Sequence, residues 1–112
     1  MGFNRELLKG STDLLILSIL SHAATYGYHI AKEVNARTGG LLRLKEGSLY
    51  PMLHKLEGQG LIRGKWAPSE RGPDRKYYQI TAHGRRALTG RVDEWRRFGA
   101  AMSAALEGAP NA

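Results

Sequence analysis

The sequence contains no cysteine, which excludes disulfides and thiolate metal sites at once. It also lacks a long apolar run. The longest, Leu14 to Leu20, is broken by Ser18 and falls far below the roughly 20 residues that a membrane span needs. No membrane partner is therefore expected. Met1-Gly2-Phe3-Asn4-Arg5 does not open a targeting segment, so the expected location is cytoplasmic. The four histidines, His22, His29, His54 and His83, show no metal-ligand spacing. An HExxH pattern and a phosphate-cradling P-loop are both missing. Nothing raises the prior of a Ser–His–Asp triad above background. These absences together point away from an enzyme, a cofactor and a metal. There is no internal repeat either.

Acidic residues are in short supply. Ten Asp/Glu against 17 Lys/Arg leave a formal net charge of +7. The excess is not spread evenly. Residues 1–44 carry five Lys/Arg and three Asp/Glu, residues 45–91 carry ten and four, and residues 92–112 carry two and three. A clustered basic segment suits a polyanionic partner, most often nucleic acid, although a basic surface also serves plain solubility. At 112 residues the chain fits one domain, and so small a chain often gains stability by oligomerising.

What is present reads as helices around one short hairpin, a mainly α (α+β) chain. Ser11, Thr12 and Asp13 are N-cap candidates for a first helix that runs on to Ala24, after an arm carrying Leu7 and Leu8. A second helix spans about Tyr26 to Arg37, with Tyr26, Ile30, Ala31 and Val34 on one face. Thr38-Gly39-Gly40 ends it, and Leu41 to Leu44 forms a connector or a small strand. Ser48 is expected to cap a third helix that ends at Gln59, with Pro51 in its first turn, where a missing N–H costs nothing. Leu49, Met52, Leu53 and Leu56 form its core stripe. Strands follow at Leu61–Trp66 and Lys76–Ile80, separated by a loop with two prolines and two arginines. One of Tyr77 and Tyr78 should be core, the other partly exposed. Trp66 is expected to pack within its strand. Thr81 caps the last helix, near whose start Gly84 is tolerated.

Helix, strand, basic turn, strand is the order of the reading half of a winged helix-turn-helix. An α-helix fits the major groove of B-DNA, and the second helix of the pair reads the bases. The exposed face of the third helix offers Ser48, Tyr50, His54 and Lys55. The wing would bring Arg71, Arg75 and Lys76 to a flanking phosphate or the minor groove. The last helix carries a second pattern. Leu88, Val92, Trp95, Gly99, Met102 and Leu106 alternate at +4 and +3, the spacing of a coiled-coil seam. Its partner is expected to be a second copy rather than the chain's own domain. The expected layout is a winged helix-turn-helix over 1–82, a dimerisation helix over 83–107 and a frayed tail over 108–112.

Several of these stretches also carry a family resemblance. Leu7-Leu8-Lys9-Gly10, Tyr26-Gly27-Tyr28-His29-Ile30, and Glu46-Gly47-Ser48-Leu49-Tyr50-Pro51 with Leu53, Leu56 and Glu57 resemble PadR-type transcriptional regulators. Gly60-Leu61-Ile62, the run Arg75 to Thr81, and Gly84 extend the match. The resemblance implies a homodimeric winged-helix DNA-binding protein, usually a repressor, of the short subgroup with a single C-terminal helix. It places Tyr26 and Tyr28 near the DNA backbone, in support of the helix pair. It also implies a planar aromatic effector at the dimer interface in some members, with Trp95 the residue to watch. Asp74 and Gln79 depart from the family's usual wing chemistry and shift the expected recognition toward the helix. Two rivals stay open: a winged-helix module for protein–protein contact, and a small-molecule sensor in which DNA binding is secondary.

Overall fold

The computed structural model describes Leu8 and residues 10–108. Leu7 and Lys9 of the expected arm and residues 109–112 of the expected tail lie outside the described residues. Among the described residues four helices and three strands have bounds, in order: α1 (Thr12–Leu20), β1 (Thr25–Tyr26), α2 (Gly27–Arg37), α3 (Glu46–Gly58), β2 (Ile62–Ala67), β3 (Arg75–Ile80) and α4 (Ala82–Ala105). The strands form one antiparallel sheet in the order β1-β3-β2.

The core collects apolar faces from the first three helices and from the β2–β3 hairpin. Ile16, Leu17 and Leu20 come from α1, Ile30 and Val34 from α2, and Leu49, Leu53 and Leu56 from α3. The sheet closes it with Ile62, Tyr78 and Ile80, paired across the strands as Ile62↔Ile80 and Gly64↔Tyr78. Each fully buried leucine or isoleucine contributes about 1.5–3 kcal/mol over its exposed state. The stripe expected on α3 is thus the core stripe, with Met52 at its margin. Tyr78 is the buried tyrosine of its pair and Tyr77 the half-buried one.

Several boundaries differ from expectation, each for a local reason. The first helix stops at Leu20, where the Ser21 hydroxyl donates to the Ser18 carbonyl at 2.6 Å. The freed chain lets Thr25 and Tyr26 pair with Tyr78 and Tyr77, a two-residue strand with no periodicity to announce it. Tyr26 therefore precedes α2 rather than opening it. The connector 41–44 forms no strand and is held by buried Leu44.

The third helix begins three residues early, counted from cap to cap. Extended Lys45 is its N-cap, and its carbonyl accepts from the N–H groups of Ser48 and Leu49 at 2.9 and 2.8 Å. Ser48 is therefore an exposed helical residue, not the cap. Pro51 lies inside the helix, and its missing N–H leaves the Gly47 carbonyl to solvent. Arg75 belongs to β3 rather than to the loop.

Thr81 caps α4 as expected, its hydroxyl oxygen accepting from the Gly84 N–H at 3.0 Å. Gly84 is more than tolerated. A Cβ there would collide with the Leu61 carbonyl oxygen, so only glycine lets α4 start this close to the β2 entry. Farther along, Arg91 spans to α1 with both terminal nitrogens on the Asp13 carboxylate, Nη2 at 3.1 Å from Oδ1. Beyond that clamp, α4 runs on with Trp95, Phe98, Met102 and Leu106 exposed. Two packed helices, a connector, and a hairpin that folds back over the second of them make a winged helix-turn-helix.

Candidate nucleic-acid interface

The exposed side of α3 carries the residues that its sequence offered. Ser48, His54 and Lys55 are exposed, and Tyr50 is about half exposed at 45%. Tyr50 does not simply project into solvent. Its ring lies over Gly27, where a Cβ would come within 2.9 Å of Cε1 and of the hydroxyl. Glycine at the start of α2 thus seats the tyrosine that points out from α3.

A groove of about 460 Å³ separates α3 from the wing. Tyr26, Tyr50, His54, Arg75 and Lys76, all anticipated as DNA contacts, line it together with Trp66. Arg75 is fixed from below, its guanidinium 4.5 Å from the centre of the Tyr26 ring. Such a contact holds a cation in place without neutralising it. Tyr26 in turn meets Tyr77 edge-on, with ring centres 5.5 Å apart. Trp66 contradicts its expected role. It is 65% exposed and borders the groove rather than packing within the sheet. Arg71 is exposed in the loop between β2 and β3, away from this groove. Tyr28 is exposed on α2, at the opposite side of Tyr50.

Lys76 is held in an ion pair. Its Nζ lies 3.0 Å from Glu57 Oε1, at the end of α3. The other oxygen of that carboxylate accepts from the Gly64 N–H at 3.2 Å. One carboxylate therefore ties α3 to both strands of the wing. A Cβ at position 64 would collide with the Lys76 chain, so Gly64 makes room for the pair. The Lys76 hydrogen bond holds the Glu57 carboxyl below its usual range, and the same bond raises Lys76. Burial pushes the Tyr78 phenol up. Lys76 thus borders the groove while paired with Glu57, whereas Arg75 and Arg71 carry no carboxylate partner among the described residues. The sequence did hold a signal for this. An acid in the last turn of a helix opposes the helix dipole, which favours a cation there, so Glu57 asks for a partner.

The seam residues of the last helix separate into three groups. Leu88 packs against the chain's own core. Val92 and Gly99 are partly covered, while Trp95, Met102 and Leu106 are exposed at 55%, 42% and 58%. Leu106 stands at the C-cap, just past the helix. Phe98, which the +4/+3 spacing passes over, is 63% exposed beside Trp95. Leu14, Arg91, Trp95 and Phe98 border a second cavity of about 520 Å³ between α4 and the start of α1.

Comparison with known proteins agrees with this layout. The model of the transcriptional regulator PadR-like family matches residues 16–90. A transcriptional regulator of Mycobacterium tuberculosis is 38% identical over 73 residues, covering 65% of this chain and 67% of that protein. Among solved structures, a transcriptional regulator from Clostridium thermocellum superposes with a TM-score of 0.83 at 28% identity, over 91% of this chain and 96% of the other. A PadR family transcription regulator from Clostridium difficile gives a TM-score of 0.76 at 38% identity, over 87% and 99%. No helix among the described residues is long and apolar enough to cross a membrane.

Proposed function

The chain belongs to the PadR-like family of DNA-binding transcriptional regulators, and from that premise we propose that it acts as a homodimeric repressor. In this reading α3 of each copy enters a major groove. Ser48, Tyr50, His54 and Lys55 face the bases, Tyr26 and Tyr28 lie near the backbone, and Arg71 and Arg75 of the wing meet a flanking phosphate. Lys76 acts from within, by holding the wing. The observation that carries the proposal is the shared groove: Tyr50 and His54 of α3 border it with Arg75 of the wing. Hydrogen-bonding and cationic groups from two elements thus converge on one concave surface.

Dimerisation through α4 is supported by its length and its open face. At 24 residues the helix is about 36 Å long, and Gly84 is its one buried residue among those described. Residues 83–107 form the dimerisation helix in this proposal, with Trp95, Met102 and Leu106 at the centre, Phe98 added, and Val92 and Gly99 between them. Leu88 serves its own domain.

The test is selection of bound duplexes from a random pool at two salt concentrations. A near-palindromic site with half-sites about 34 Å apart is expected. Affinity should fall steeply with salt as phosphate counterions are released. Affinity that is flat from low to moderate salt overturns the proposal.

A second reading concerns release of the DNA. The cavity beside Trp95 and Phe98 has room for a planar aromatic compound. In a Trp66→Phe background Trp95 is the sole tryptophan. Quenching of its emission by a planar aromatic dye, with matching loss of DNA binding, is the expected result. A dye that leaves both signals unchanged removes this reading and leaves the repressor proposal standing.

A further inference from the structure

Tyr50 borders two grooves, not one. One is the groove between α3 and the wing. On its other flank lies a cavity of about 590 Å³ between α2, the connector and the start of α3. The two differ in charge. The wing-side groove is lined by Arg75 and Lys76 against Glu57 and Asp74, which cancel. The connector-side groove is lined by Lys32, Arg43 and Lys45 against Glu46 alone. Moreover, Lys76 spends its charge on Glu57, whereas Lys32, Arg43 and Lys45 form no ion pair among the described residues.

We infer that the connector-side groove is the principal phosphate seat beside the recognition helix, with Lys32, Arg43 and Lys45 as its contacts. The inference rests on the DNA-binding reading above and adds a surface to it. Lys32 lies one helical turn beyond Tyr28 on α2, so the exposed Tyr28 phenol and the Lys32 ammonium share one rim. Arg43 and Lys45 face them from the connector. Cations from two elements thus flank a trough open to solvent, a form suited to a polyanionic strand that runs past α3. Base contact and backbone contact then divide on Tyr50. The α3 face reads, the connector side anchors, and the wing contributes the smaller electrostatic share. Mixed-sign side chains on the wing side leave little net attraction for phosphate, while three unpaired cations favour it strongly.

Salt titration separates the two grooves. Each phosphate neutralised by a cation adds about 0.9 to the steepness of log affinity against log salt. The probe is a short random-sequence duplex pool, bound by the full chain and followed by anisotropy from about 50 to 200 mM KCl. Replacing Lys32, Arg43 and Lys45 together by Gln should flatten the slope by about 2 to 3. Arg75→Gln with Lys76→Gln should flatten it by about 1 or less. The three single variants, each expected to remove about 0.9, keep the test open should the triple variant fail to fold. A triple variant, or folded single variants, that bind with the wild-type slope overturn the inference. Wild-type protein that binds no duplex overturns the DNA-binding reading itself, a different outcome from an unchanged slope.

Discussion

Two helices of this chain carry apolar stripes of nearly the same spacing and meet opposite fates. On α3, Leu49, Leu53 and Leu56 are at most 1% exposed, sealed by α1 and the sheet. On α4 and at its C-cap, Trp95, Met102 and Leu106 remain 42–58% exposed. Periodicity records that a helix has an apolar face. It does not record whether the chain supplies the other side. On α3 the partner is some thirty residues away in the same domain. On the far half of α4, the described residues offer only the start of α1, and much of the face stays exposed.

The largest effect is expected at the sealed stripe. Leu53→Ala removes a fully buried side chain and should cost about 2–5 kcal/mol, read as a lower urea midpoint. The open stripe should answer differently. Trp95→Ala is expected to weaken self-association by about 2–4 kcal/mol in sedimentation equilibrium. Far-ultraviolet dichroism of the dilute protein should stay the same. Loss of helix content in that variant would mean that Trp95 serves its own domain after all.

A smaller effect sharpens the boundary between the two regions. Gly84→Ala forces a methyl group against the Leu61 carbonyl and should cost about 1–3 kcal/mol. Gly90→Ala, on the same helix with open space at its Cβ, should be neutral or stabilising by up to about 1 kcal/mol. Equal effects at the two positions would show that α4 does not start against β2.

The smallest expected effect lies in the carboxylate that joins α3 to the wing. The folded-state pKa of Glu57 is lowered, so its contribution is present above the ordinary carboxylate range. That contribution is lost as pH falls through the lowered value. Wild type should exceed Glu57→Gln by less than about 1 kcal/mol at neutral pH, since the pair is partly exposed. The gap should close in acid, as pH falls below the ordinary carboxylate range. A gap that persists unchanged into acid would assign the difference to something other than the Glu57 charge.

Much of the fold was legible because its helices and hairpin are built from local patterns. The α3 stripe, the glycines at helix ends and the Thr81 cap all follow from neighbours a few residues apart. What escaped depends on distant pairing. The strand at Thr25–Tyr26 exists only because Tyr77 and Tyr78 lie alongside it. Lys76 reads as one more wing cation until Glu57, 19 positions earlier, claims it. Trp66 alternates like a packed strand residue, yet its side of the hairpin overhangs the groove instead of meeting the core. On α3 the expected contact residues are indeed exposed, because a stripe assigned to the core fixes the opposite face as well. Lys32, Arg43 and Lys45 drew no notice because they are scattered over two elements, and only the fold gathers them.

The Thr81 hydroxyl touches both sides of the junction between reading head and long helix. It donates to the Gly60 carbonyl at 2.7 Å while receiving the Gly84 N–H. With Gly84 pressed on Leu61 and Arg91 held on Asp13, this fixes the head to a lever roughly 36 Å long. A one-degree tilt there moves the far tip by about 0.6 Å on that length. In a dimer joined near the tips, the leverage runs in reverse. A slight change in how two shafts cross would swing each reading head as a rigid body and reset the distance between them. Half-site spacing on DNA is then an angular property of the shaft, adjustable without touching a single base-contacting residue.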